Sequence, residues 1–338
     1  QDKQELVLNK NSKLSADTYF NSFSIAKWKK YTELNSYQLQ LRLSGESVVT
    51  VFGSRACNEE VRTEKIKSLN TKKGETKYDI NIDCDNDILN VWFEIRAMAE
   101  KVTFFGGGFT TETTPNRNIK LAIDICTFHR YEYLEKNIVA LKNDLISNPF
   151  SELYDKIDVF IVDNANDPHT RCLEDDRIHV FLQDQKGSTG GFTRGMLEIM
   201  KQQDFTHCVL MDDDVYLYPP VLERLYWFLL FLREEYDDAL IGGALLRMDK
   251  PCIQHEAGAM WNEGTVQCCK HNYDLQKFEY VVKNDIEEKT EYMGWWFCCV
   301  PTIAIEKNGY PLPVYFHRED IEYGLRNPKQ ITLNGICT

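Results

Sequence analysis

The chain has 338 residues, of which 43% are hydrophobic and 27% are charged, so it is long enough for two globular domains. Its 39 basic and 52 acidic residues give a net charge of −13, which argues against a nucleic-acid partner because nucleic-acid-binding surfaces are basic. The longest apolar run, residues 225–232, is too short to span a bilayer.

The N-terminal part of the chain has the pattern of an all-β domain. Short stretches of alternating polar and apolar residues are separated by polar turns about every ten residues, which is typical of a β-sandwich. We therefore predict a jelly-roll-like sandwich over residues 1–115, with its end marked by glycines 106–108 and Pro115. Its predicted strands include residues 37–43, 48–52, 78–82 and 88–95.

From residue 116 the pattern changes to strands that alternate with helices. This order predicts an α/β domain over residues 116–338 with a mostly parallel sheet and right-handed crossovers. The carboxyl ends of parallel strands meet at one edge of a sheet, so we expect the polar residues after each strand to gather there. The predicted strands are residues 121–126, 159–162, 178–182 and 208–211, and the predicted helices are residues 131–143 and those from Thr193 onward.

Three consecutive aspartates, Asp212 to Asp214, directly follow the last of these strands. Adjacent carboxylates repel one another, and leaving them buried and unpaired is energetically costly. At the end of a strand they form an oxygen-rich site suited to Mg²⁺ or Mn²⁺. The alternative is a solvated acidic turn before a helix that begins near Pro219 and Pro220.

The other strand ends carry groups suited to a nucleotide. Arg130 presents a fork of donors for a diphosphate or a carboxylate, and Asp163 and Asn164 suit the edge of a uracil or a ribose. Residues 187–191 form a glycine-rich turn that opens a helix, where backbone N–H groups can face an anion. Each feature alone is also typical of a turn or a surface ion pair, and their common position favours a binding site.

Several motifs resemble known enzymes. One set resembles the nucleotide-sugar half of an inverting GT-A glycosyltransferase. A second set resembles the galactofuranosyltransferases that build actinobacterial galactan, and this resemblance covers nearly the whole chain because those enzymes also carry an N-terminal β-sandwich. The first set is Cys126–Arg130, Val162–Asn164 and Asp212–Asp214, and the second is Gly190–Arg194, Trp295–Phe297 and Glu319–Arg326.

The resemblance implies roles for individual residues. Asp212 and Asp214 would hold Mn²⁺ or Mg²⁺ against the UDP diphosphate, and Asp320 would be the general base on the acceptor hydroxyl. Glu319 and Glu322 flank Asp320, and like charges would raise its pKa, although Glu319 and Asp320 also suit a helix cap. The implied donor contacts are Thr127, Arg130, Asp163, Asn164, Gln185, Gly190, Gly191 and Asp213.

The acceptor is expected to meet aromatic and acidic residues from the C-terminal part of the chain. Of Trp295 and Trp296, we expect one ring in the core and one as a stacking platform for a sugar, and the sequence leaves open which. Glu319 is assigned to the same side of the site. His255 and Trp261 lie in a loop-rich segment that is predicted either to face the acceptor or to be structural.

The end of the chain affects the metal prediction. In the resembling enzymes a histidine after the Glu-Asp helix and the next strand is a third metal ligand, which we expect beyond Thr338. The second domain is therefore predicted to be truncated at its C-terminal end. His317 precedes the helix and is a weak substitute for that ligand.

These observations predict a metal-dependent inverting transferase that moves galactofuranose from UDP-galactofuranose to a growing cell-surface glycan or glycolipid. The alternatives are a transferase for another UDP-sugar, an inactive carbohydrate-binding protein, and a metal-dependent nucleotide hydrolase. The 11 cysteines follow no disulfide or zinc spacing, which predicts reduced thiols in the cytoplasm. Peripheral association with the inner face of the cytoplasmic membrane and homo-oligomer formation are left open.

Overall fold

The chain is divided into two units, and the computed structural model describes residues 5–57 and 60–338. The first unit contains the residues up to Pro115 together with Asp274–Glu287, and the second contains Asn116–Tyr273 and Glu288–Thr338. The sequence predicted a single boundary at residue 115. The short segment Asp274–Glu287 therefore belongs to the first unit although it comes late in the chain.

The first unit contains two antiparallel four-stranded sheets. Apolar side chains from both sheets, among them Leu41 and Val49, are fully buried in one shared core. The predicted β-sandwich is therefore confirmed. The strands are β1 (Leu6–Asn9), β2 (Lys13–Ser15), β3 (Gln38–Ser44), β4 (Ser47–Cys57), β5 (Glu60–Asn70), β6 (Thr76–Asn81), β7 (Asn90–Ala97) and β8 (Lys101–Thr110), in the orders β1-β8-β3-β6 and β2-β7-β4-β5, and the helices are α1 (Ile25–Tyr31) and α5 (Phe278–Lys283).

The three glycines predicted to mark the end of the sandwich domain lie inside β8 instead. A Cβ atom on Gly107 would lie 2.2 Å from the carbonyl oxygen of Gln40 in β3, so this position permits a close approach of two backbones. Gly106 has a φ of 111°, close to the point where the register between β3 and β8 shifts. The glycines therefore serve strand pairing, whereas Pro115, the other predicted marker, is the last residue of the first unit's main segment.

The second unit is built on a nine-stranded mixed sheet in the described part of the chain. Its order is β11-β10-β9-β12-β18-β13-β14-β17, with β19 beside β13, and a separate hairpin pairs β15 with β16. The strands are β9 (Leu121–Thr127), β10 (Ile157–Asp163), β11 (Ile178–Leu182), β12 (His207–Asp212), β13 (Leu240–Arg247), β14 (Lys250–Glu256), β15 (Ala259–Asn262), β16 (Thr265–Cys268), β17 (Tyr273–Asp274), β18 (Cys298–Pro301) and β19 (Gln330–Cys337).

Helices connect and cover these strands. Helix α2 continues into a π-helical turn, Lys142–Ile146, and 3-10 turns form at Pro168–Leu173 and Glu234–Tyr236. Within the described residues no helix is both long enough and apolar enough to cross a membrane. The α-helices are α2 (Tyr131–Leu141), α3 (Gly187–Gln202), α4 (Pro220–Leu230), α6 (Thr302–Asn308) and α7 (Glu319–Arg326).

The half of the sheet formed by β11, β10, β9 and β12 is parallel, as the alternation of strands and helices predicted. Strands β9, β10 and β12 are almost fully buried because α3 packs on them and most of their side chains are apolar. On the other side of β12 the sheet becomes mixed, since β18 pairs antiparallel with both β12 and β13. The carboxyl ends of the parallel strands consequently lie along one edge.

Candidate active site at the carboxyl ends of the parallel strands

The aspartate triplet lies where the sequence predicted it, at the end of β12. Asp212 is the last residue of the strand and pairs in register with Cys126 of β9. The carboxylate of Asp213 accepts a hydrogen bond of 2.7 Å from the Thr127 hydroxyl group at the end of β9. The side-chain amide of Asn137 in α2 donates to the Asp213 carbonyl oxygen at 3.1 Å. Neighbouring elements therefore hold the backbone and side chain of the triplet.

Arg130 supplies the positive charge nearest to the triplet. Its guanidinium group donates a hydrogen bond to the Asp214 carboxylate and lies 4.0 Å from the Asp213 carboxylate. The Arg130 side chain is about half exposed. Burial raises the pKa of Asp213 to about 6, with a further increase from Asp214, whereas the Thr127 hydrogen bond and Arg130 act in the opposite direction.

Helix α7 brings a second pair of acidic residues to the site. Its first two residues are Glu319, which accepts a hydrogen bond from the Ser188 hydroxyl group of α3, and Asp320. The Asp320 carboxylate accepts a 2.8 Å hydrogen bond from the Ile321 N–H group. The other oxygen of Glu319 is buried and has no hydrogen-bond partner among the described residues. The first turn of α7 thus holds two carboxylates beside the start of α3.

Electrostatics show that the carboxylates from β12 and α7 lie close together. The pKa of Asp212 is raised to about 7, first by burial and then by Asp214, Asp213, Glu319 and Asp320. The pKa of Asp320 is raised to about 6, again chiefly by burial, with smaller contributions from Glu319 and Glu256. Residues far apart in sequence therefore form one concentrated patch of negative charge.

Glu322 was expected to raise the pKa of Asp320, but it is not among the groups that do so in the structure. The Glu322 carboxylate accepts hydrogen bonds from the Arg326 guanidinium group and, at 3.1 Å, from the Leu312 N–H group. Its negative charge is directed to those donors, and Glu319 and Glu256 are the acids that raise the pKa of Asp320. Sequence neighbours on a helix face different directions, so flanking positions alone did not predict which acid would interact with Asp320.

The residues present fit a divalent cation. Two half-buried carboxylates, Asp212 and Asp214, offer hard oxygen ligands. Burial, and then neighbouring carboxylates, raise the pKa of Asp212 to about 7, so a nearby cation would be favourable. No third His, Cys, Asp or Glu joins them as a compact ligand group in the described ranges. Mg²⁺ commonly binds through one or two carboxylates and completes its shell with waters and substrate phosphates, so this donor set is sufficient.

Asp163 and Asn164, predicted to bind the donor, are used inside the protein. Asp163 is fully buried, and its oxygens accept hydrogen bonds from Ala165 N–H at 2.7 Å and Thr170 hydroxyl at 3.1 Å. The Asn164 amide donates to the Gly187 carbonyl at 2.9 Å and accepts from Gln183 at 2.7 Å. Both side chains therefore stabilise the protein around them, whatever contact they make with a donor.

The glycine-rich stretch differs from the predicted turn because α3 already begins at Gly187, not at Thr193. Gly187 has a φ of 73°, and its N–H group donates to the Gln185 side chain at 2.8 Å. A Cβ atom on Gly191 would lie 2.1 Å from the Cys126 sulfur, so this glycine lets α3 approach the end of β9. Gly190 is half-buried, and a Cβ atom at this position would lie 2.3 Å from the Cβ atom of Lys186. These glycines therefore let α3 pack closely against its neighbours and place no side chain of their own beside its first backbone N–H groups.

The two adjacent tryptophans have different environments. Trp295 is 5% exposed and packs edge-on against Phe192 and Tyr323, so it is the ring of the pair that lies in the core. This burial argues against the predicted contact between Trp295 and the acceptor. Trp296 is half-buried, and its ring covers Gly294, where a Cβ atom would lie 1.8 Å from the ring. Trp296 is therefore the ring of this pair that is available for stacking.

Trp261 and His255, the other predicted acceptor contacts, lie on different elements. Trp261 is on β15, and the guanidinium group of Arg318 lies 5.1 Å from the centre of its ring. His255 is on β14, with its ring 5.2 Å from that of His271. Arg318, with a φ of 70°, directly precedes α7, so a residue adjacent to the acidic pair already contacts Trp261.

Sequence reasoning missed several residues of this site. Ser188 was hidden in the glycine-rich stretch, and Asn137 is one polar residue within a helix. Glu256 is buried and close enough to Asp320 to raise its pKa, but nothing in its local sequence indicates this. The ring of His317, the predicted weak substitute ligand, lies tilted against that of Phe316 with the ring centres 3.9 Å apart. His317 belongs to no ligand group within the described residues.

Two protein families match the chain, one for each type of domain. The family described as galactofuranosyltransferase 2 N-terminal matches residues 1–112. The family described as glycosyl transferase family 2 matches residues 123–244. Together with the relatives below, these matches confirm the resemblance to galactofuranosyltransferases.

Two relatives are similar along nearly the whole chain. Galactofuranosyltransferase GlfT2 of Mycolicibacterium smegmatis is 26% identical over 346 residues, covering 96% of this chain and 52% of the relative. The GlfT2 of Mycobacterium tuberculosis is 25% identical, covering 96% and 53%. The chain thus spans about half the length of these relatives. Among solved structures, residues 1–349 of TarS from S. aureus are 13% identical with a TM-score of 0.40, covering 64% of this chain and 58% of that one.

Proposed function

We propose that this chain, which combines a galactofuranosyltransferase 2 N-terminal domain with a glycosyl transferase family 2 domain, is a metal-dependent inverting hexosyltransferase. Its donor is UDP-galactofuranose, and its acceptor is a hydroxyl group of a growing cell-surface glycan or glycolipid. The donor follows from the names of the relatives, which are galactofuranosyltransferases. The carboxylates described above support the proposed reaction type.

The observation that carries the proposal is the approach of Asp320 to Asp212. The two groups are close enough for Asp320 to raise the pKa of Asp212, although one is on α7 and the other ends β12. A transferase needs both a site for the nucleotide diphosphate and a base for the acceptor within the length of one sugar. A protein that only binds a nucleotide would need Asp320 for no more than stabilising the start of α7.

Asp320 would act as the general base. It takes the proton from the acceptor hydroxyl group as that oxygen forms a bond to the anomeric carbon of the donor sugar. On the opposite face of the sugar the bond from the anomeric carbon to the phosphate oxygen breaks, and UDP leaves with the electron pair. Attack from the opposite face inverts the anomeric configuration. A pKa near 6 keeps Asp320 largely ionised at neutral pH while making it a stronger base than an ordinary aspartate.

Asp212 and Asp214 would hold the Mn²⁺ or Mg²⁺ ion. When bound, such an ion neutralises the negative charge that develops on the leaving diphosphate. Thr127 holds the Asp213 carboxylate, which keeps the triplet in place at the end of β12. Arg130 is half exposed, so its guanidinium group can exchange its contact with Asp214 for a phosphate oxygen of the donor.

Donor binding would use the edge formed by β9, β10, β12 and the start of α3. We assign Asp163 and Asn164, which the sequence predicted as donor contacts, to holding the backbone of this edge. Gln185, Gly190 and Gly191 keep their predicted role as donor contacts. On the acceptor side we assign Trp296 and Trp261 as rings for sugar stacking. Glu319 positions α7 through Ser188 and leaves one buried oxygen for an acceptor hydroxyl group.

A donor panel tests this function. The purified chain is incubated with a short galactofuranoside acceptor and, separately, with UDP-galactofuranose, UDP-galactopyranose and UDP-glucose, with Mn²⁺ or with a chelator. We expect transfer only from UDP-galactofuranose and only with the metal. NMR of the product reports whether the anomeric configuration is inverted.

The same panel distinguishes the alternatives. Equal transfer from a pyranose donor would assign the chain to another UDP-sugar, and UDP-sugar hydrolysis unaffected by acceptor would indicate a nucleotide hydrolase. Binding of the glycan without Mn²⁺-dependent binding of UDP would contradict the transferase and indicate a carbohydrate-binding protein.

A further inference from the structure

A second group of metal-ligating side chains lies outside the aspartate triplet. His255, Glu256 and Cys268 each offer one ligand atom, and these three atoms all lie within 4.8 Å of one another. His255 and Glu256 are the last two residues of β14, and Cys268 is the last residue of β16. The group therefore joins the end of one strand to the open end of the β15–β16 hairpin.

The fold, and not the sequence spacing, brings these residues together. Adjacent residues in a strand usually point to opposite faces, so His255 and Glu256 do not suggest a ligand pair. Here β14 ends at Glu256, and Gly258 turns the chain with a φ of 77° before β15 begins. Cys268 is paired with Ala259 at the first position of β15, which returns its thiol to the end of β14.

The chemistry of the group is mixed nitrogen, oxygen and sulfur. Glu256 is 4% exposed, and burial raises its pKa, while a hydrogen bond with Cys268 and the imidazoles of His255 and His271 act in the opposite direction. His255 and Cys268 are half-buried, so the group can be reached from solvent. A buried carboxylate surrounded by a thiol and imidazoles is an arrangement that a cation would stabilise.

We propose that His255, Glu256 and Cys268 bind one Zn²⁺ ion. With Zn–N and Zn–O distances of about 2.0–2.2 Å and a Zn–S distance of about 2.3 Å, tetrahedral ligands lie about 3.4–3.6 Å apart. The observed spread of up to 4.8 Å therefore closes with small side-chain movements. A fourth position remains for water or another ligand.

The ligand types at this second site favour Zn²⁺ over the Mg²⁺ or Mn²⁺ ion proposed at the aspartate triplet. Thiolate and imidazole ligands favour Zn²⁺, whereas Asp212 and Asp214 offer only carboxylate oxygens, which suit Mg²⁺ or Mn²⁺. The thiol of Cys268 gives up its proton when it binds the ion, so binding releases a proton to solvent. The ion would tie the hairpin that carries Trp261 to the end of β14. The proposal does not depend on the transferase reaction.

Cobalt substitution tests the site directly. The full chain is stripped of metals and titrated with Co²⁺, which takes zinc sites and gives a thiolate-to-cobalt charge-transfer absorption only when a sulfur is a ligand. We expect this absorption to saturate at one Co²⁺ per chain and to be abolished by one equivalent of Zn²⁺. Cys268→Ser should remove it, and His255→Gln should weaken Zn²⁺ binding by more than the roughly 10–100-fold caused by losing an outer-shell partner.

Matched controls separate this site from others. Cys269→Ser should keep the absorption, because the Cys269 sulfur lies 3.5 Å from the Lys289 carbonyl oxygen instead of within the ligand group. Asp214→Asn should also keep it, since carboxylates give no thiolate band. Absence of the band in the wild-type chain, or its persistence in Cys268→Ser, would overturn the proposal. If Cys268→Ser does not fold, unchanged Zn²⁺ affinity in folded His255→Gln would overturn it equally.

Discussion

Two polar clusters lie at the same edge of the sheet, at the ends of β10 and β12, and the structure uses them differently. Asp163 and Asn164 are buried, and their side chains have internal hydrogen-bond partners. Asp212 is half-buried among other carboxylates, and its pKa is raised to about 7. Both clusters read alike in the sequence, as acidic or amide residues after a buried strand.

The comparison shows what separates a structural polar group from a reactive one. A buried carboxylate that accepts hydrogen bonds stabilises the backbone around it. The charged form of Asp212 is destabilised first by burial and then by the nearby carboxylates of β12 and α7. That cost is recovered when a cation or a proton binds. Position at the edge of the sheet therefore does not by itself establish a role in the reaction.

The largest expected effect is on the β12 cluster. Asp212→Ala or Asp214→Ala should abolish Mn²⁺-dependent binding of UDP, because each removes one of the two carboxylate ligands. Asp212→Ala should not lower the free energy of unfolding, because it relieves repulsion between like charges. Asp214→Ala also loses the exposed ion pair with Arg130, so it should change that free energy by less than about 1 kcal/mol. Calorimetry with and without Mn²⁺ measures the binding. Asp184→Ala, an exposed acid after β11, is the control, and unchanged UDP affinity in Asp212→Ala would refute the assignment.

The β10 cluster should show the reverse pattern. Asn164→Ala removes hydrogen bonds to Gly187 and Gln183 and leaves buried partners unsatisfied, so we expect a loss of about 2–4 kcal/mol in the free energy of unfolding. Urea denaturation measures this loss, and UDP affinity of the folded fraction should change only a few-fold. Unchanged stability together with lost UDP binding would instead show that Asn164 binds the UDP-sugar. The two clusters would then not differ in function.

A pH dependence should appear in the metal-free chain. The pKa of Asp212 is raised above its unfolded value, so its protonated form contributes stability that is present below about pH 4 and lost as the pH rises towards 7. After allowance for solvent screening, the loss is on the order of 1–2 kcal/mol. Asp212→Asn should flatten this part of the stability curve, as should saturating Mn²⁺. An identical curve for wild type and variant would count against the raised pKa.

The smallest expected effect concerns Trp295 and Trp296, because one of these rings is buried in the core and the other is half-buried. Trp296→Leu should raise the acceptor KM by about 3–10-fold, as expected from an aromatic contact of about 0.5–1.5 kcal/mol, without changing UDP affinity. Trp295→Leu should mainly lower the melting temperature, because Trp295 packs in the core. Steady-state kinetics with varied acceptor gives the first result. Equal KM effects from both variants would show that the difference in burial has no functional meaning.

Much of the fold followed from sequence patterns. The continuous apolar strands of the parallel half are predictable because both faces of such strands are buried. The return of Asp274–Glu287 to the first unit was not predictable, since a short helix carries no signal of which core it joins. The three glycines of β8 resembled a turn because sequence does not distinguish a glycine needed for a turn from one needed for close strand pairing.

The position of the candidate site at the edge of the sheet could be predicted from the sequence, but the contacts between its residues could not. Asp212 and Asp320 could be named because short motifs surround them. The desolvation that raises their pKa values depends on packing from several elements, which no local pattern encodes. The internal partners of Asn164, and the approach of Glu256 to Cys268, depend on tertiary contacts in the same way.

The most direct test of the central claim is the transfer rate of Asp320→Asn at saturating donor, acceptor and Mn²⁺. The amide keeps the volume of the side chain but cannot take a proton from a sugar hydroxyl group, so the rate should fall by about 10²–10⁴ while UDP affinity is kept. Glu322→Gln, on the same helix but bonded to Arg326, is the control and should transfer at a rate close to wild type. A near wild-type rate for Asp320→Asn would show that another group is the base and would contradict the account.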